Sequence, residues 1–389
     1  MKVRSPLAVI FVTVFIDLIG FGIVIPVLPL YAERFGASPL VIGLLLGIYS
    51  LMQCIFAPIL GRLSDRIGRR PVLLVSILGT AAGFLLMGFA RTLELLFLAR
   101  IIDGITGGNI STAQAYIADV TPPERRSQGM GLIGAAFGMG FIFGPAIGGI
   151  LSHVSLAAPF FAAAALAAAN ALAVYVWLPE SLPASRRGAI RAHGSILEAL
   201  RETGSRSMRP ILATYFFGTV AFSLLTATYA LFAERRFGFT VPQIGYIFAG
   251  QGILGALIQG GLLGWLLRRS GDKALTVAGA IALMVSLFFL PMTASHAALF
   301  LATAGLAVGH SLMAAPLNGL ASKAAGGDAQ GRVLGLMQSA ASAARIVGPV
   351  LGGCLLNVDA ASAAASFGRT PYWTAGALMV VALLFAVSL

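Results

Sequence analysis

The chain has 389 residues, 58% of them hydrophobic and only 10% charged, with a mean hydropathy of +0.92. That balance excludes a soluble domain of this size and leaves a lipid bilayer as the solvent. A formal net charge of +12 would also fit a nucleic-acid binder, but in a membrane chain a basic excess first of all reports topology.

Apolar segments recur near residues 6–31, 40–61, 70–90, 93–117, 127–151, 157–178, 208–233, 241–267, 274–293, 296–321, 331–355 and 370–388. Each approaches or exceeds the roughly 20 residues that a helix needs to cross hydrocarbon, so twelve transmembrane helices are predicted. The first follows Met1-Lys2-Val3-Arg4 and holds one charge, Asp17. It is too long for a signal peptide and lacks a small-residue cleavage pattern, so it reads as a spanning helix. Cys54 and Cys354 both fall inside apolar segments and read as small packing residues rather than a disulfide or a metal pair.

With the N-terminus inside, nineteen of the 26 Lys and Arg residues fall in inside loops and tails. Outside loops hold Arg34, Arg91, Arg235, Arg236 and Arg369, while Arg100 and Arg345 lie within spans. The positive-inside rule then puts both termini in the cytoplasm of a bacterial-type inner membrane and explains the basic excess with no nucleic acid as partner.

Residues 179–207 form the longest polar stretch, rich in arginine and containing Pro179 and Pro183. They are predicted to be a cytoplasmic linker. Within it, Ser195-Ile196-Leu197-Glu198 has capping-box spacing, either the start of a short surface helix or a common coincidence. An internal repeat supports two halves. Gly61 to Arg70 recurs in degraded form at Gly264 to Lys273, Gly144-Pro145-Ala146-Ile147-Gly148-Gly149 at Gly348 to Gly353, and Gln128-Gly129 at Gln330-Gly331, with offsets of 203, 204 and 202. Three landmarks at nearly one offset mark a duplicated architecture. The predicted fold is therefore an all-α membrane protein of twelve transmembrane helices in two pseudo-symmetric six-helix bundles, residues 1–178 and 208–389.

Gly61-Arg62-Leu63-Ser64-Asp65-Arg66-Ile67-Gly68-Arg69-Arg70 follows the second span and is close to the major facilitator loop signature. Gly61 would permit close helix approach. Asp65 could cap a neighbouring helix, and Arg66, Arg69 and Arg70 could pair with an acid such as Asp119; purely topogenic charges are the plainer reading. In the fifth span, Gly134, Gly138, Gly140, Gly144, Pro145, Gly148 and Gly149 allow a tightly packed, bendable helix and resemble an antiporter signature, with generic small-residue packing as the alternative. Gly129-Met130-Gly131-Leu132-Ile133-Gly134 formally matches a dinucleotide fingerprint, but no strand precedes it and no acid follows at the required distance.

Arg100 and Asp103 share one face of the fourth span, continued by Gly107, Ser111 and Gln114. Ionisable groups in hydrocarbon are costly and usually functional, and Asp17 is the third of them. Desolvation favours the neutral acid and a nearby arginine favours the anion, so a carboxylate between these influences can load and release a proton. A permanent bridge from Arg100 to Asp103 or Asp17 that merely locks helices is the other reading. In the seventh span Tyr215, Thr219, Ser223, Thr226 and Tyr229 form a polar stripe expected to face a cavity. Tyr49, Gln53, Gln251, Gln259, His310, Asn318, Gln338, Ser342 and Arg345 are weaker candidates, each equally readable as an interhelical hydrogen bond. His310 alone is readable as a core histidine.

Together these residues resemble the drug/proton antiporter branch of the major facilitator superfamily, and within it the tetracycline/proton antiporters. The resemblance is carried by Asp17-Leu18-Ile19-Gly20, Pro26-Val27-Leu28-Pro29, Leu51-Met52-Gln53, Ala57-Pro58, the loop signature, Gly104-Ile105-Thr106-Gly107 and Ala115-Tyr116-Ile117-Ala118-Asp119. It implies that Asp17 and Arg100 serve coupling, that Gln53 lines the cavity and that the loop signature latches the cytoplasmic side. Where those antiporters carry an acid in the third span, a histidine in the eighth and an acid in the ninth, this chain has Gly83, Gly255 and Leu283. These departures weigh against tetracycline itself, and Asp103 is expected to replace the third-span acid from a neighbouring helix.

The expected function is proton-coupled export of small amphipathic compounds by alternating access. The proton is the coupling ion, with no other cofactor, no metal and no enzyme chemistry. Expected partners are a small-molecule substrate, the proton and the bilayer, with the chain acting as a monomer. A symporter or uniporter of a small metabolite is the rival within transport. A non-transporting membrane sensor or scaffold, or a membrane enzyme, is the rival outside it.

Overall fold

The computed structural model describes residues 6–122, 126–183, 185, 187, 208–324, 326–361, 363 and 366–389. Most of the predicted linker, with its Ser195 capping-box pattern, lies outside these residues. The first half holds α1 (Pro6–Glu33), α2 (Pro39–Ile67), α3 (Arg69–Gly88), α4 (Leu93–Thr106), α5 (Asn109–Val120), α6 (Arg126–Leu151) and α7 (Ala158–Trp177). The second holds α8 (Met208–Phe237), α9 (Val241–Leu257), a π-helical turn (Ile258–Leu262), α10 (Leu263–Phe289), α11 (His296–Ala324), α12 (Gly326–Val358) and α13 (Arg369–Val387).

Among the described residues, ten helical stretches are long and apolar enough to cross a membrane. Two departures from the predicted segments account for the difference from twelve. The fourth segment is broken, because α4 stops at Thr106 and α5 starts at Asn109. Thr106 Oγ1 donates back to the Ile102 carbonyl at 2.9 Å, a bond that bends helices. The next two residues are glycines and let α2 press in: a Cβ at Gly107 would lie 2.8 Å from Tyr49 Oη, and one at Gly108 would lie 2.9 Å from Ala57 Cα. The eighth and ninth segments instead run on as Val241–Met292. They reverse direction at Gly271, whose φ of 77° is open to glycine alone at little cost. Gly68, with φ of 112°, makes the corresponding turn between α2 and α3.

The described residues gather into two compact units, one within Met1–Ala37, Ile48–Arg191 and Thr240–Ala249, the other within Ser38–Gly47, Ala192–Phe239 and Gly250–Leu389. Each unit thus takes the opening segment of one helix from the other half of the sequence. In the first unit the fifth-span glycines clamp α6 onto α1, since a Cβ at Gly144 would lie 2.6 Å from Gly22 Cα. Gly140 and Gly148 repeat that approach against Leu18 and Ile23. Gly149 faces the opposite way and meets Gly245 Cα, with a Cβ separation of 3.2 Å. In the second unit Gly43 meets Pro349 and Gly353 in the same manner. Gly43 and Gly245 are 202 residues apart, and Gly149 and Gly353 are 204 apart, so the duplicated sequence builds the same glycine contact twice. Tight backbone approach is how membrane helices gain dispersion energy when lipid removes the hydrophobic drive.

A side chain forced into such a contact costs about 1–3 kcal/mol through overpacking. Gly245→Val and Gly43→Val are expected to lower the thermal unfolding temperature of detergent-purified protein by several degrees. Gly138→Ala, at a helical position where a Cβ would meet nothing within 4 Å, is expected to leave it unchanged or raise it.

Candidate functional site

The fourth-span charges come together as the spacing predicts. Thr92 caps α4 by accepting from the Leu95 backbone N–H at 3.4 Å, and one turn on the helix enters its buried stretch. Arg100 donates to Asp103 Oδ2 at 3.0 Å, with the two residues 2% and 4% exposed. The Arg100 guanidinium also lies over the Tyr49 ring, 4.3 Å from its centroid, a cation–π contact that gains strength where water is excluded. Gln53 Nε2 donates to Tyr49 Oη at 3.2 Å and to the Gly107 carbonyl at 2.7 Å. It thereby satisfies an acceptor at the helix break, which hydrocarbon would otherwise leave bare. Asp17, on α1, faces the Asn109 side chain and stands within electrostatic range of Asp103. It makes no ion pair with Arg100 among the described residues.

Asp103 packs directly on α3: a Cβ at Gly83 would lie 3.0 Å from Asp103 Cβ. Thr80, one turn away on α3, also faces the Asp103 carboxylate. Glycine at position 83 thus makes room for the α4 acid. The helix break shifts the polar face that Arg100 and Asp103 begin. Beyond it the buried polar residues are Asn109 and Thr112, whereas Ser111 is half-buried, donating to Gly108 O at 2.7 Å, and Gln114 is exposed. Sequence reasoning missed Asn109 and Thr112, because helical spacing carried through an unseen break points to the wrong face, and it missed Thr80 because that residue meets Asp103 only through the packing of α3 on α4.

At the other end of α3, Arg69 is 2% exposed and pairs with Asp65 at 2.7 Å and Asp119 at 3.1 Å. It also donates to Ser64 Oγ at 2.6 Å. Asp65 is therefore engaged by Arg69. The cap of α3 comes from Glu180, whose carboxylate accepts the backbone N–H groups of Arg69 at 2.9 Å and Arg70 at 3.2 Å. Gly68 occupies the N-cap position without a side chain, and the Glu180 carboxylate sits against it. Arg70 donates to the Tyr175 carbonyl, and Arg66 is exposed. Among the described residues the close approach expected at Gly61 does not occur, since a Cβ there would meet nothing within 4 Å. The glycine that the signature needs for its geometry is Gly68.

The second half repeats this cluster with its charges reversed. Asp272 follows Gly271 as Arg69 follows Gly68, and Asp272 pairs with Lys323. Lys323 is the penultimate residue of α11, as Asp119 is of α5. Arg268 stands where the repeat puts Asp65.

The remaining candidates are more scattered. Along α8, Tyr215, Thr219 and Thr226 are half-buried, Ser223 is buried, and Tyr229 is 1% exposed and packs on Phe232. A Cβ at Gly348 would lie 2.5 Å from Ser223 Cβ, so α12 covers the inner part of the stripe. His310 stacks on Phe222 with ring centroids 4.0 Å apart. Arg345 donates to Ser342 Oγ at 3.4 Å and is in electrostatic range of Tyr215. Gln251 is half-buried, while Gln259, Asn318 and Gln338 are exposed. Gln259 lies in the π-helical turn, which the unbroken apolar pattern of the eighth segment did not reveal.

A family model described as Major Facilitator Superfamily matches residues 10–349 and 212–389. The chain is 35% identical over 391 residues to the tetracycline resistance protein, class C, of Escherichia coli, covering 100% of this chain and 97% of that one. It is 32% identical over 369 residues to multidrug resistance protein 1 of Bacillus subtilis (strain 168), covering 92% and 91%. The crystal structure of a bacterial homolog to the human lysosomal transporter Spinster aligns with a TM-score of 0.82 over 99% of this chain and 97% of that one. At 15% identity, that likeness is one of fold.

The clusters at the helix ends are open to direct test. Glu180→Ala removes the carboxylate cap of α3 and is expected to cost about 0.5–2 kcal/mol, read as a lower unfolding temperature. Asp272→Lys is expected to impair transport in reconstituted vesicles by setting two like charges together, and the exchange Asp272→Lys with Lys323→Asp is expected to restore it.

Proposed function

Because the chain belongs to the Major Facilitator Superfamily and is a multi-pass membrane transporter of small molecules rather than an enzyme, we propose that it exports amphipathic, drug-like compounds in exchange for protons by alternating access. The observation that carries this reading is the Arg100–Asp103 pair, buried at a helix break with Asp103 seated over Gly83. Its relatives named for tetracycline and multidrug resistance support the substrate class. The glycine-rich fifth span supports export over import.

In this scheme Asp103 and Asp17 carry the proton and Arg100 senses it. When Asp103 is ionised, Arg100 neutralises it across 3.0 Å. When Asp103 is protonated, the pair loses its Coulombic attraction and the guanidinium leans on the Tyr49 ring, 4.3 Å away. A substrate that contacts Tyr49 or Gln53 therefore competes for the same groups that hold Arg100. Proton and substrate affinities are coupled through that shared cation, and the coupling is reciprocal. Burial makes the coupling strong, since charges in a low-dielectric site interact several-fold more strongly than in water. The substrate wall is completed by amide and aromatic groups that bind by shape and burial. The coupling ion is the proton alone, the working unit is a monomer, and both termini face the cytoplasm of an inner membrane.

The test is transport in proteoliposomes with an imposed pH gradient. Asp103→Asn is expected to reduce gradient-driven accumulation by about a hundredfold, equivalent to roughly 2.7 kcal/mol, while compound-induced thermal stabilisation persists. Gradient-driven accumulation at the wild-type rate in that variant would overturn the assignment of Asp103. A gradient that moves no bound compound even in the wild type would overturn proton exchange itself.

A further inference from the structure

Among the described residues, several buried polar atoms without a hydrogen-bond partner gather in one part of the first unit. They are Ser76 Oγ on α3, Arg100 Nε on α4, and Asn109 Oδ1 and Thr112 Oγ1 on α5, next to Thr80, whose side chain faces the Asp103 carboxylate. Ser76 and Thr112 are both 0% exposed. An orphaned polar atom away from water costs about 1–3 kcal/mol, and such atoms in native proteins are otherwise rare.

Their order along the helices gives the cluster a direction. The α3 helix runs antiparallel to α4 and α5, in a register fixed at three points. Gly83 backs onto Asp103, Gly79 backs onto Thr106, and Arg69 reaches Asp119 at 3.1 Å. Between the last two points Ser76 falls opposite the stretch from Asn109 to Thr112. Packing of Leu73 and Ile77 with Ala113 and Ile117 in one apolar cluster agrees with this register. The polar atoms therefore form a column beginning at Asp103 and Thr80, passing Asn109, Ser76 and Thr112, and ending near Tyr116 and Asp119. Tyr116 Oη donates to the Pro179 carbonyl at 2.9 Å and lies in electrostatic range of Glu180, Arg70 and Asp119. At 1.5 Å per residue the column is about 24 Å long.

We infer that this column holds a file of water molecules inside the first unit and is the route by which the Asp103 proton reaches the cytoplasm. Buried water characteristically makes two to four bonds to polar groups of this kind. Each hydroxyl or water along the file accepts a proton on one lone pair and releases another, so only O–H bonds form and break. The proton that leaves the Asp103 carboxyl emerges at the cytoplasmic end beside Asp119, and the Asp103 carboxylate that remains pairs with Arg100. The route separates proton exit from the substrate wall at Tyr49 and Gln53, so neither traffic blocks the other. This inference rests on the proton-exchange reading, and its test has one arm that does not.

That arm is hydroxyl-radical footprinting by X-ray radiolysis of the purified full-length protein. Bound water near Tyr116 and Ile117, which are 0% and 1% exposed, is expected to label both side chains despite their burial. The double variant Ser76→Ala with Thr112→Val, which removes two hydroxyls and little volume, is expected to lose that labelling. In the second arm, the double variant in liposomes enclosing a pH-sensitive dye is expected to slow substrate-driven proton movement about tenfold or more. Its compound-induced thermal stabilisation is expected to match the wild type. Restoring a hydroxyl with Thr112→Ser is expected to recover much of the rate. Unlabelled Tyr116 and Ile117 in the wild type, or wild-type proton movement in the double variant, would overturn the route. A wild type that moves no protons would instead remove the transport reading, leaving the labelling to decide whether the file exists.

Discussion

Hydrocarbon offers no hydrogen bonds, so every polar group placed inside it must find a partner within the protein. Among the described residues, the helix break and the buried ion pair both follow that constraint. Backbone groups meet it by remaining helical, and where the fourth span breaks, Gln53 supplies a donor to the Gly107 carbonyl. Charged groups meet it by pairing, as Arg100 and Asp103 do at 3.0 Å. Such a pair is not a strong source of stability, because desolvation offsets most of its Coulombic gain. Under the proposed proton exchange, its persistence in an apolar core is explained by a change of charge on one partner rather than by stability.

The same constraint explains the glycines. Lipid tails are as apolar as leucine, so helices in a bilayer associate through close packing rather than through burial from water. Gly22 and Gly144 bring α1 and α6 to backbone contact, Gly245 does likewise for the opening segment of α9 against α6, and Gly43 for that of α2 against α12. These contacts leave no room for side-chain adjustment.

Duplication has preserved geometry more faithfully than chemistry. Gly68 and Gly271 both take positive φ, and in each half the next residue pairs with the penultimate residue of a helix. Yet Arg69 with Asp119 becomes Asp272 with Lys323. An ion pair bridging two helix ends works with either polarity, because the attraction depends on the product of the charges. The flanking acid Asp65 is correspondingly replaced by Arg268, so the sign change extends over three positions.

Much of this was legible in the amino-acid sequence. Composition and apolar runs determined a helical membrane protein, the 202 to 204 offsets determined two related halves, and helical spacing put Arg100 and Asp103 on one face while leaving Asp17 as an alternative partner. The loop signature suggested a pairing of one of its arginines with an acid such as Asp119, and Arg69 makes that pair. What only the tertiary structure decided depended on contacts between distant segments. Glu180 caps α3, because the end of α7 returns the chain to that helix start. Asp103 lies against Gly83 because a glycine on α3 leaves the space, and no local pattern reports a space. The break at Gly107 and Gly108 turned the buried face from Ser111 and Gln114 to Asn109 and Thr112. Helical periodicity is a property of unbroken helices, and where α2 presses on two adjacent glycines that premise fails.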